Sequence, residues 1–97
     1  MARLETARAK IGATILDVFR PGWAKEIDRE VLDLADCEVC VLGQLFGSYE
    51  EGVCRVFAVA EDNEKAAICA GFNLPKCGGK WSTLTEAWRR EIGRRVR

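Results

Sequence analysis

The sequence contains no histidine. The commonest general base at neutral pH and the commonest metal ligand are therefore missing. No apolar run exceeds five residues, of which Val56 to Ala60 is one, so no segment is long enough to cross a bilayer. The first ten residues, MARLETARAK, carry no apolar signal core, and a cytoplasmic location without a membrane partner is expected. Internal repeats, low-complexity stretches and long linkers are absent as well. Global charge is lacking too, because 15 basic residues balance 15 acidic ones. What is present is ordinary globular composition, 48% hydrophobic and 31% charged over 97 residues, which fits one small domain.

Apolar spacing predicts an all-α domain, 1–97, of five or six short helices. Over 2–19, Leu4, Ala7, Ile11, Ile15 and Val18 recur at three- and four-residue steps, predicting a helix with that stripe inward and Arg3, Lys10 and Asp17 outward. Gly12 weakens its interior, and Arg20-Pro21-Gly22 ends it. Trp23, Ile27 and Val31 predict a second helix over 23–33. Asp36 is a candidate cap for a third over 37–46, with Val39, Leu42 and Phe46 on one side. The spacing of Gly43 and Gly47 suits close backbone approach. Ser48-x-x-Glu51 is a capping box opening a helix over 49–58, with Val53, Val56 and Phe57 inward. A strand over the same run is the alternative, since its β-branched residues suit one. Asp62 or Asn63 caps a short helix ending at Gly71. Residues 73–82 form a loop, and Thr83-x-x-Glu86 is a second capping box for a last helix reaching about Arg95, with Leu84, Trp88 and Ile92 buried.

Charge is unevenly spread. Residues 1–25 are net +3, residues 26–64 net −9 and residues 65–97 net +6. The simplest account is that basic ends fold against an acidic middle. The sharper one is an acidic face that meets a basic partner.

Five cysteines, an odd number, argue against a secreted disulfide framework. Thiols buried as small hydrophobes are the expected state, with Cys54 the clearest core thiol. A tetrahedral metal site is the alternative, Cys37 and Cys40 supplying one pair and Cys69 and Cys77 the other. A redox pair at Cys37-x-x-Cys40 lacks its usual βαβ setting, and Glu38 between the thiols raises their pKa. In WRREIGRRVR, Arg90, Arg94 and Arg97 face away from the buried edge, a stripe suited to nucleic-acid phosphates. Cations are also favoured at a helix C-terminus, and Glu86–Arg90 and Glu91–Arg95 pairs can neutralise them. Trp88 reads as core, whereas Trp23 and Trp81 follow turns where partial exposure is expected. No catalytic constellation and no cofactor site is visible. The function expected is non-enzymatic interaction with a protein partner through Tyr49, Glu50 and Glu51, with Trp81 as an anchor.

The stretch Pro21 to Gly52 contains PGW, then Ile27-Asp28 and Leu32-Asp33-Leu34, then Cys40 leading into LGQLFG and an aromatic-plus-glycine turn. Together with LTEAW at 84–88, it resembles small uncharacterised proteins of actinobacteria and their phages. In that pattern the position of Cys40 is regular and that of Cys37 is not, which weakens the metal reading. The resemblance implies a small cytoplasmic accessory protein, phage-encoded or actinobacterial, and brings no catalytic or ligand residue with it.

Overall fold

The computed structural model describes residues 3–75 and 78–96. Five α-helices and one 3-10 turn make up its regular structure, with no strand among the described residues: α1 (Arg3–Phe19), the 3-10 turn (Trp23–Glu26), α2 (Val41–Phe46), α3 (Tyr49–Val56), α4 (Asn63–Cys69) and α5 (Trp81–Arg95). The all-α reading is therefore what the chain adopts.

The two long helices, α1 and α5, lie side by side and parallel. A Cβ on Gly79, just before α5, would come within 3.4 Å of Glu5. One on Gly12 would overlap the Trp88 ring. Asp17 meets Arg95 near the far end, at 2.9 Å. Short α2 and α3 pack on each other, while α4 touches both α1 and α3. The core is aromatic at its centre. Trp88 stacks on Phe72 at 5.1 Å, Trp23 meets Trp88 edge-on at 5.8 Å, and Phe57 meets Phe72 edge-on at 5.9 Å. The Trp88 indole donates to the Gly71 carbonyl at 2.7 Å, so its one polar group is satisfied where it is buried.

The expected face of α1 is inverted. Ala9, Ala13 and Leu16 are fully buried and Gly12 is buried with them. Leu4, Ile11 and Val18 are instead 56%, 50% and 82% exposed. The reason is proximity. At Gly12 a methyl group would collide with the Ala70 carbonyl and the Trp88 ring, so only the small-residue side of α1 fits against α5 and the end of α4.

Residues 23–33 form one 3-10 turn, not a helix, and the segment beyond it is irregular. Asp28, Asp33 and Asp36 each accept from the backbone N–H two residues ahead, at 2.9–3.0 Å. Three such turns compete directly with helical hydrogen bonding. Leu32 and Leu34 are buried on either side of exposed Asp33, a period of two. Side chains from elsewhere satisfy much of the remaining backbone. Thr85 Oγ1 accepts from Leu34 N–H, Arg89 donates to the carbonyls of Arg29 and Leu32, and the Gln44 amide bonds both polar groups of the Asp28 backbone.

The third helix starts at Val41 rather than near 37, with Cys40 and not Asp36 as its cap. Ser48 and Asp62 cap α3 and α4 as expected, accepting from Glu51 and Lys65 N–H. α5 begins at Trp81, two residues ahead of Thr83, so the second capping box is not used as one. Leu84, Trp88 and Ile92 are buried on it, as their spacing predicts. Gly43 closes on the Cys37 carbonyl, whereas Gly47 has open space and a φ of +97°, so its role is the turn itself.

Candidate functional site

The outer face of α1 is the largest departure from the expected burial pattern. Leu4, Ile11 and Val18 repeat every seven residues, with Ala7 exposed and Ile15 half-buried between them. Phe19, 46% exposed, continues the face and meets Phe46 edge-on at 6.1 Å. The Arg20 guanidinium lies 5.3 Å from the centre of the Phe46 ring, and Arg55 completes the wall of this notch. Leu4, Ile11, Val18 and Phe19 are four of the seven large hydrophobic side chains exposed among the described residues, a clustering on one helix of the kind that marks interaction surfaces.

Charge on this face is one-sided. On a helical wheel Lys10 lies along one edge of the stripe and Arg8 along the other. Neither makes an ion pair among the described residues. The one acid on the Lys10 edge, Asp17, is held by Arg95 Nε and Nη2 at 2.9 Å and by the Trp23 indole at 2.9 Å. The bond from Arg95 holds the Asp17 carboxyl below its usual range. Arg20 forks onto both Glu26 oxygens at 2.8 and 3.1 Å and donates to the Leu45 carbonyl, whereas Arg55 makes one exposed pair with Glu51 at 2.8 Å, a kind that binds weakly.

The residues expected to meet a protein partner are placed differently from one another. The Tyr49 hydroxyl bonds Glu64 at 3.0 Å and accepts from Asn73 at 3.1 Å, and burial raises its pKa. Glu51 pairs with Arg55, whereas Glu50 is exposed without an ion pair among the described residues. Trp81 is 37% exposed at the start of α5, which packs chiefly on α1, while α3 packs on α2 and α4. The Tyr49–Glu51 turn and Trp81 thus belong to elements with different principal neighbours.

On the outer side of α5, Arg90 is exposed and Arg94 pairs with buried Glu91 at 3.1 Å; Arg97 lies outside the described residues. Glu91 also pairs with Arg95, as expected, but Glu86 pairs with Arg89 instead of Arg90. Trp23 is fully buried and not at the surface.

The thiols correct the expectation of a buried set. Cys37, Cys54 and Cys69 are exposed, and only Cys40 of the described four is buried. Cys54 sits one position past buried Val53, which turns it outward. The Cys40 sulfur accepts from Gly43 N–H at 3.2 Å and lies 3.8 Å from the Cys37 carbonyl. Burial pushes its thiol pKa up, the opposite of a reactive thiolate. No three Cys, Asp or Glu side chains converge on a common point among the described residues; Cys77, the remaining member of the alternative metal set, lies outside them.

A cleft of about 730 Å³ lies between the starts of α1 and α5 and is lined by Leu4, Glu5, Arg8, Leu74, Lys80 and Leu84 among others. Pro75 and Gly78 also line it, and the two residues between them lie outside the described residues. It adjoins the Leu4 end of the α1 stripe. No family model, no curated protein and no solved structure matches this chain.

Proposed function

We propose that this protein is a non-enzymatic interaction domain whose docking surface is the outer face of α1. One observation carries the reading. The helix turns Ala9, Gly12, Ala13 and Leu16 into the core and leaves Leu4, Ile11 and Val18 in solvent, with Ile15 half-buried against the core. Apolar side chains scattered singly over a surface need no explanation, but a four-turn stripe in heptad register does. The surface first expected at Tyr49, Glu50, Glu51 and Trp81 supports binding less well, because the Tyr49 hydroxyl is already held by Glu64 and Asn73 and Trp81 belongs to a different helix.

A photo-crosslinking residue placed at exposed Thr14 tests this in cells, with exposed Arg90 on α5 as the control position. The expected result is a protein adduct from position 14 that disappears when Ile11→Asp is added. Equal adducts from both positions, or none from position 14, would reject α1 as the interface.

A further inference from the structure

Resting on that reading, we infer the partner's chemistry: α1 receives an amphipathic helix whose apolar seam is edged by Asp and Glu. The shape of the surface argues for a helix. From Leu4 to Val18 the stripe runs straight for about 21 Å at the helical rise. Its steps of three, four, four and three residues, through Ala7, Ile11 and Ile15, form the 3.5-residue seam along which two helices pack side by side. An extended strand has no edge to pair with here, since the backbone of α1 is already hydrogen-bonded within the helix.

The charge of the surface argues for acidic edges. Arg8 and Lys10 flank the stripe on opposite sides without an ion pair among the described residues. Arg55 stands at the Phe19–Phe46 notch in a single exposed pair with Glu51 that a partner carboxylate can replace, whereas Arg20 there is held by both Glu26 oxygens and the Leu45 carbonyl. Asp17 is committed to Arg95 and Trp23 and so offers little to a basic partner. The same charges disfavour a second copy of this chain. Laid antiparallel across Ile11, two α1 helices would bring Lys10 opposite Lys10.

A display library of helices with leucine at both seam positions and random residues at both edge positions provides the probe, selected against the intact chain. Enriched binders should carry Asp and Glu at the edges. Their affinity should fall at least about tenfold from low to high salt, and by a similar factor on Ile11→Asp with Val18→Asp. Binders that need Ile11 and Val18 but carry neutral or basic edges would overturn the partner class and leave the docking surface standing. Absence of any binder sensitive to those two substitutions would sink both. Sedimentation showing a dimer that Ile11→Asp dissociates, or Ile11-dependent binding to anionic vesicles, would also overturn the acidic helix, in favour of a second copy or a lipid surface.

Discussion

At the scale of single residues, two positions show how local chemistry overrides composition. Gly12 lies mid-helix, where alanine is intrinsically better by about 1 kcal/mol. Its missing side chain nonetheless admits the Ala70 carbonyl and the Trp88 ring. Overpacking of this kind costs about 3 kcal/mol, so Gly12→Ala should lower stability by about 2 kcal/mol net in urea denaturation. Cys40 acts as an N-cap through sulfur. Cys40→Ala should cost about 1 kcal/mol, whereas Cys40→Ser keeps an acceptor for Gly43 N–H and should be nearly neutral. In a Cys77→Ser background, Cys37, Cys54 and Cys69 should react promptly with a disulfide reagent, and Cys40 only on unfolding. Absorbance of the released thiol counts them. A fourth fast thiol would contradict the burial of Cys40.

At the scale of elements, the outward stripe of α1 separates folding from binding. Ile11→Asp and Val18→Asp should each change stability by less than about 0.5 kcal/mol, because neither side chain is in the core. A large loss in thermal unfolding would mean that the stripe is structural. The same helix marks the limit of sequence reading. Periodicity locates the helix and Arg20-Pro21-Gly22 marks its end, but periodicity points to the more hydrophobic side as the buried one. Periodicity measures contrast between faces; how closely a neighbour approaches is invisible to it, and here a tryptophan 76 positions later in the chain decides. Where the signal was local it held: Ser48 and Asp62 cap the helices they precede, and Leu84, Trp88 and Ile92 are buried at their i, i+4 spacing. Residues 23–33 read as helical because Trp23, Ile27 and Val31 fit the pattern. The three aspartates that bend the backbone, and Thr85, Gln44 and Arg89 that hold it, supply contacts that no short window contains.

At the scale of the whole molecule, Asp17 and Arg95 tie the C-terminal ends of α1 and α5 together across 78 positions. Arg95 holds the Asp17 carboxyl below its ordinary range, so the bond contributes stability that is fully present above the unfolded pKa of about 3.9. That contribution fades as pH falls through the lower folded value. Asp17→Asn should therefore flatten the acid limb of stability against pH; an unchanged limb would show that other carboxylates govern it.

The parallel arrangement of α1 and α5 carries a kinetic consequence. Antiparallel neighbours can zip from a short connection, but a parallel pair at opposite ends of the chain cannot form until most of the polypeptide has been looped back. Searching for such distant contacts is slow. Refolding should accordingly lag behind that of an up-and-down bundle of equal length, and stopped-flow mixing would measure the delay.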